Sequence, residues 1–341
     1  DRTGLIWYSI YGVGVNALSS SREQFEQYNL TGLIDKENLV ASITGIYEEE
    51  NGMIWLGIKS FVLGLFDRRM NSLTLYNNHP VLKNIASRAN SILSFHKPAK
   101  KDELWLGTRY DGLYIVSMKN GKILSMKKRL LEGIDIGNLG IKEIVEDEQN
   151  NIWLATSKGL IHAKWNGADE YVVQNEEIIK RKLFNQIVNT ISFDHEKNIW
   201  VGTQDLGLFK IYINEKPVKL EEYSLQNKKL NNNEVISLLQ DHKNRIWVGT
   251  KGGGLSLYNV QKKRFEIVDN MSLIPDDAIY SMEEDHWGNI WLATGNGLVS
   301  YNEDLPHDKK IRIFSGKEGI RINTFNPNAA FKNNNNELFF G

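Results

Sequence analysis

The chain has 341 residues, 41% of them hydrophobic and 24% charged, with a formal net charge of −1 and no cysteine. Such a composition is globular, and the near-neutral charge gives no reason to expect nucleic acid or an anionic membrane surface as partner. The missing cysteines exclude disulfides, thiolate metal sites and thiol nucleophiles.

From the N-terminus, "DRTGLIWYSI" has no basic stretch ahead of an apolar core, so it is no signal peptide. It starts with Asp rather than Met and reads as a segment of a longer chain. No later apolar run approaches the ~20 residues of a membrane helix. Instead one motif recurs along the whole chain. It is "GLIWYSIYGVGV" at Trp7, "GMIWLGIKSFVLGL" at Trp55, "ELWLGTRYDGL" at Trp105 and "NIWLATSKGL" at Trp153. Then come "NIWVGTQDLGL" at Trp200, "RIWVGTKGGGL" at Trp247 and "NIWLATGNGL" at Trp291, and a degenerate "ELFFG" puts Phe339 in the tryptophan place. Successive anchors lie 44 to 50 residues apart, a period that belongs to stacked supersecondary units.

Each unit reads the same way. An alternating stretch such as "NEVISLLQD" (233–241) or "DAIYSMEED" (277–285) predicts a strand. Six residues before the aromatic anchor stand Asp1, Glu49, Asp147, Asp194, Asp241 and Asp285, placed to accept the backbone N–H groups that a tight turn leaves unpaired. Three before it stand Gly4, Gly52, Asp102, Asn150, Asn244, Gly288 and Asn336, with Lys197 the exception in type. Those types predict a left-handed turn residue. Two after the Trp, Ser9, Gly57, Gly107, Ala155, Gly202, Gly249 and Ala293 are all small, as close packing on a neighbouring sheet or on the indole would require. A glycine opens the third strand, and "FEQY" at Phe25 or "RFEIV" at Arg264 supplies a variable fourth. No segment has a helical period over a useful length. A lone four-stranded meander leaves both faces bare, and radial stacking covers them. We therefore expect an all-β chain forming one β-propeller over residues 1–341. It should have seven four-stranded antiparallel blades anchored at the seven tryptophans, with residues 323–341 either closing the ring or starting a further blade.

The unit D-x-x-G-N-I-W-[LIV]-G-T-x-x-G-G-L resembles the two-component regulator propeller repeat. It differs from WD repeats, where Asp follows the Trp, and lacks the paired Gly followed by a distal Tyr and Trp that kelch units show. The resemblance implies the extracytoplasmic sensor of a hybrid histidine kinase of Bacteroides-type bacteria. Such a sensor is periplasmic, responds to glycan breakdown products and works as a homodimer, and its kinase parts and membrane contact lie elsewhere in the parent chain. The closing "FNPNAAF…ELFFG" resembles the last blade of such a sensor's second propeller. On this reading the segment is not itself an enzyme and needs no cofactor or metal.

Candidate ligand contacts come from the loops after the Trp strands and from the segments leading into the blades. They are Lys59, Arg88, Asn90, Arg109, Tyr110, Asp111, Lys158, Asn189, Gln204, Asp205, Lys251 and Asn296. Variable polar residues on a constant frame are how loops carry function; loop tips are also polar simply because they are wet. Amide and guanidinium groups suit an oligosaccharide, and Lys59, Arg109, Lys158 and Lys251 lean toward an acidic one. His195, His242 and His286 repeat at one position, but neighbouring sheets stand ~10 Å apart while Zn–N bonds are ~2 Å. They are turn residues, not a metal site. The pairs Glu48–Glu49, Glu146–Asp147 and Glu284–Asp285 share one strand-to-turn position, so a structural role covers them all. "KGGGL" lacks the ending of a phosphate loop, and no nucleophile elbow occurs. Two other functions stay open: a propeller lyase or glycosidase, which would need an inward acid and base, and a protein-interaction or dimerisation scaffold.

Overall fold

The computed structural model describes residues 6–10, 14–19, 24–28, 30–33, 42–59, 62–76, 79–80, 91–99, 102–119, 122–129, 135–166, 171–174, 176–268, 273–314 and 325–341. Strands β1 (Ile6–Ile10), β2 (Gly14–Ser19) and β3 (Gln24–Tyr28) come first. Blade I is β4 (Ile43–Glu48), β5 (Met53–Ile58), β6 (Val62–Asp67) and β7 (Ser72–Leu75). Blade II is β8 (Ile92–His96), β9 (Glu103–Thr108), β10 (Leu113–Lys119) and β11 (Lys122–Arg129), and blade III is β12 (Ile141–Glu146), β13 (Ile152–Thr156), β14 (Gly159–Trp165) and β15 (Tyr171–Val173). A helix, α1 (Glu177–Leu183), leads onward. Its seven residues are too few to show a period, yet Ile179 and Leu183 dock it in the core. Blade IV is β16 (Val188–Phe193), β17 (Ile199–Thr203), β18 (Leu208–Tyr212) and β19 (Lys219–Tyr223). Blade V is β20 (Val235–Gln240), β21 (Ile246–Thr250), β22 (Leu255–Asn259) and β23 (Arg264–Ile267). Blade VI is β24 (Ile279–Glu284), β25 (Ile290–Thr294), β26 (Gly297–Tyr301) and β27 (Ile311–Phe314), after which β28 (Ala330–Lys332) and β29 (Leu338–Phe340) end the chain.

The fold is an all-β propeller of four-stranded antiparallel blades. The expected seven such blades need correcting: six are present among the described residues. The remaining sheet has five strands in the order β28-β29-β1-β2-β3, with β29 and β1 parallel at Ile6 and Leu338. The physical cause lies in the repeat. "ELFF" and "LIWY" are both second-strand segments, so they run in the same direction and lie side by side. The innermost strands β4, β8, β12, β16, β20, β24 and β28 pack in succession, and β28 returns to β4 to close a ring.

The recurrent residues hold the blades together as their types suggest. Trp55, Trp105, Trp153, Trp200, Trp247 and Trp291 are all buried, as is Phe339. The indole Nε1 of Trp200 donates to Asp194 at 3.0 Å, and Trp247 and Trp291 donate to Asp241 and Asp285 at 2.8 Å each. The same acids receive the turn: Asp241 Oδ1 takes the N–H groups of Lys243 and Arg245, each at 2.9 Å. Three before the anchor, Gly52, Asn150, Lys197, Asn244, Gly288 and Asn336 all have φ between 62° and 83°, so Lys197 takes the left-handed turn despite its type. The small residue after each Trp answers to the next blade. A Cβ on Gly57 would lie 2.2 Å from the Ile92 carbonyl oxygen, the first residue of the next inner strand.

The carboxylate pairs join blades. Arg68 holds Glu48 of its own blade at 2.6 Å and Glu337, just ahead of β29, at 2.9 Å, His96 approaches Glu146 at 3.2 Å, and Glu284 takes the His242 N–H at 2.8 Å. His195, His242 and His286 are exposed on their turns, and no group of His, Asp or Glu among the described residues is placed to hold a metal ion.

Candidate functional site: the axial cavity

Every inner strand of blades I to VI breaks its alternation once. Its pairing slips after the first residue, leaving one extra residue: Thr44, Leu93, Lys142, Asn189, Ile236 and Tyr280. A bulged residue is re-aimed out of the pleat, and here all six turn to the axis. They line a cavity of about 400 Å³ at the loop end of the propeller, together with Asn328 of the closing segment.

A second tier comes from the loops after the Trp strands. In blades II to V the residue four after the Trp donates its N–H to the carbonyl of the residue just ahead of its own inner strand. Arg109 bonds Ser91, Ser157 bonds Gly140, Gln204 bonds Ile187 and Lys251 bonds Glu234, each at 2.9 Å. This extends the pairing by one residue and brings those four side chains to the cavity wall. The next residue along leaves the ladder and projects outward: Lys158, Asp205 and Asn296 are exposed and do not line the cavity. Tyr110 is the exception, half exposed yet at the rim.

Of the contacts expected from sequence, the structure thus gathers Arg109, Tyr110, Asn189, Gln204 and Lys251. Lys59, Asp111, Lys158, Asp205 and Asn296 lie outside the cavity lining, and Arg88 and Asn90 lie outside the described residues. Lys59 shares the backbone bond of its class, to Ser42, but does not reach the axis. Sequence reasoning missed Lys142, Tyr280, Glu234, Asn326 and Asn328. A signal existed: eleven before the anchor aromatic, Thr44, Lys142, Asn189, Ile236, Tyr280 and Asn328 differ in type on an otherwise repeated frame.

Asn189 ties the wall together. Its Oδ1 accepts from Lys142 Nζ at 2.6 Å and its Nδ2 donates to the Val235 carbonyl at 2.9 Å. Its own carbonyl accepts from Asn328 Nδ2, on the closing segment, at 2.8 Å. Asn326 Nδ2 donates to the Ile43 carbonyl at 2.6 Å. Lys251 faces Glu234 at 3.5 Å. Burial, with the charge of Arg109 adding and Glu234 opposing, lowers the Lys142 amine to about 8. The wall therefore offers amides, a guanidinium, two amines, two phenols and one carboxylate: hydrogen-bonding chemistry around a modest apolar floor.

The two-component regulator propeller family matches at residues 229–252 and 273–296, the Trp247 and Trp291 units. A histidine kinase of Formosa agariphila is 32% identical over 85 residues, a stretch that is 25% of this chain and 6% of that kinase. The extracellular domain assigned to a hybrid two-component system of B. thetaiotaomicron superposes with a TM-score of 0.52 at 18% identity, covering 99% of this chain and 65% of that one. Virginiamycin B lyase of Staphylococcus aureus gives a TM-score of 0.57 at 10% identity, with 80% and 84% covered. At such identities both superpositions speak to the fold. The chain spans a small part of the kinase and 65% of that extracellular domain.

Proposed function

We propose that this chain, a propeller of two-component regulator repeats, is the periplasmic ligand-sensing part of a hybrid two-component system, and that its axial cavity takes an oligosaccharide. The observation that carries this is the cavity wall. One side chain from the inner strand of each of blades I to VI meets there, and those residues vary while the frame that aims them does not. Its volume falls in the ordinary range of small-ligand sites. Planar amides at Asn189, Gln204 and Asn328 and the rings of Tyr110 and Tyr280 supply hydrogen bonds and an apolar face for a sugar.

A lyase or glycosidase reading finds less support. Glycoside hydrolysis takes two carboxyl groups across the scissile bond, and among the described residues the lining has one, Glu234, drawn to Lys251. In the same proposal the sensor works as a homodimer, as kinases signalling across a membrane would use it.

Calorimetry of the chain against purified oligosaccharides tests the reading. One-to-one binding should appear for at least one class of glycan, and Asn189→Ala should weaken it by tenfold or more. New reducing ends or unsaturated products in the mixture would instead point to an enzyme. Sedimentation with and without the bound glycan tests the dimer.

A further inference from the structure

On the reading that the axial cavity takes a sugar, we propose that the sugar is an acidic one whose carboxylate or sulphate seats between Arg109 and Lys142. Several sheltered cations of this molecule meet a carboxylate. Arg68 meets Glu48 at 2.6 Å and Glu337 at 2.9 Å, Arg245 meets Asp241 at 2.6 Å, and Lys210 meets Asp194 at 3.0 Å. Each is paired, as partly buried charges ordinarily are.

Arg109 and Lys142 break that rule. They come from adjacent blades to one cavity wall, near enough for the guanidinium to disfavour the ammonium. Among the described residues neither has a carboxylate within ion-pair distance. Arg109 Nε donates to the Ser91 hydroxyl at 3.2 Å, and Lys142 Nζ to the Asn189 amide oxygen at 2.6 Å. Both partners are neutral. Two like charges held together without a counter-ion destabilise the empty cavity, and an entering anion relieves them. An Arg presents a planar fork to a carboxylate or sulphate and a Lys a point charge, so the two together complete an oxyanion seat.

Lys251 does not compete for the anion, because Glu234 already answers it at 3.5 Å. The remaining charged or titratable groups that share the wall with Lys142 are Arg109 from blade II, the Glu234–Lys251 pair from blade V, the Tyr280 phenol from blade VI and the Tyr110 phenol at the rim. Blade IV turns the neutral Asn189 toward it. On its own strand Glu143 instead takes the Ile191 N–H at 2.8 Å. Thus an arriving anion is the one change that favours the ammonium form, and binding near pH 8 should draw a proton onto Lys142.

The test uses the 341-residue chain and matched pairs of ligands. These are di- and trisaccharides of galacturonate and glucuronate as free acid and as methyl ester, and a sulphated galactose disaccharide with its desulphated counterpart. The acid or sulphate member should bind at least tenfold tighter than its neutral partner. Calorimetry at pH 8 in two buffers of different ionisation enthalpy should show uptake of a fraction of a proton per site. Lys142→Met and Arg109→Ala should each erase most of the preference for the acidic or sulphated member over its neutral partner. The Met should be accommodated, since Leu93 and Ile236 fill the equivalent place in their blades, and the two-buffer measurement needs no variant at all. Neutral members binding as tightly as acidic ones would overturn the inference and leave the sugar cavity standing. So would an acidic preference that survives both substitutions. Binding by no member would overturn the sugar cavity and this inference together. Preference within the uronate or the sulphate pairs alone identifies which anion the seat was shaped for.

Discussion

At the scale of single residues, the turn aspartates do the most per atom. Asp194 is almost wholly buried. It accepts the N–H groups of Glu196 at 3.0 Å and Asn198 at 2.9 Å, the Trp200 indole at 3.0 Å and the Lys210 ammonium at 3.0 Å. Burial alone would raise this carboxyl; hydrogen bonds from Lys210 and Asn198 outweigh it and hold the group below its ordinary value. Truncation strands a buried indole N–H, two turn amides and a cation. Asp194→Ala should therefore cost about 3 kcal/mol in urea unfolding, and Asp194→Asn, which keeps an acceptor, less than half of that. The sign with pH follows from the lowered value. This contribution is present above the unfolded carboxyl's value near pH ~4 and is lost as pH falls through the folded one. A variant that unfolds at the wild-type urea midpoint would show that the indole bond is incidental.

At the scale of elements, the second strand of each blade is read by its neighbour. Gly57 has the Ile92 carbonyl where a Cβ would go, and on Gly249 a Cβ would meet Ser237 Oγ at 2.2 Å and Ile279 Cβ at 2.8 Å. Blades III and VI accept Ala155 and Ala293 at the same position, fully buried, so each blade pair has its own spacing. Gly57→Ala must move backbone and should cost roughly 2–3 kcal/mol. Ala155→Gly, which only loosens a strand, should cost about 1 kcal/mol or less. A thermal-melt comparison in which both substitutions cost the same would mean that the inter-blade approach does not set the residue. This layer of the fold was legible because it is local: Trp, turn acid, left-handed residue and small residue keep fixed offsets, and the eye finds them by period. The cavity was legible only by half. Loop residues such as Arg109, Gln204 and Lys251 advertise themselves by polarity on a constant frame, but polarity does not say which of two adjacent loop residues is pinned inward. In blades II to V one backbone bond marks the inward residue, and it separates Lys251 from the outward Lys158. Lys142 and Tyr280 were hidden for another reason. They sit in strands whose alternation assigns side chains to two faces, and a bulge adds a third direction that a two-fold pattern has no place for. The extra strand of the closing sheet was equally invisible, since two copies of one segment type compete for one position only when the ring is complete.

At the scale of the whole molecule, two inner strands carry sheltered carboxyl groups, Glu143 on β12 and Glu283 on β24, three places apart around the ring. Burial is the main reason that both are raised to about 7. For Glu143 it outweighs the bonds from the Ile191 N–H and Thr190, and for Glu283 the opposing charge of Lys332 while the charge of Glu143 adds to it. Lys332 is itself turned aside, its Nζ donating to the Glu284 carbonyl at 2.7 Å. Here the sign is opposite to that of the turn aspartates. A carboxyl whose folded value stands above its unfolded one holds its proton in the native state, so stability is complete at pH ~4 and declines as pH rises toward 7. Both residues keep part of their surface exposed, which screens part of the effect, leaving on the order of 2 kcal/mol for each. The propeller is thus squeezed from both sides, by its turns in acid and by its axis toward neutrality. Gln is nearly the shape of the protonated form and can still accept the Ile191 N–H. The double variant Glu143→Gln, Glu283→Gln should match wild type in urea unfolding at pH 5 and exceed it by roughly 2–4 kcal/mol at pH 8. The single variants should be less than additive, because the two acids feel one another. If the double variant keeps the wild-type decline between pH 5 and pH 8, the axial acids are not its source, and the propeller's stability near neutral pH is set elsewhere than along its axis.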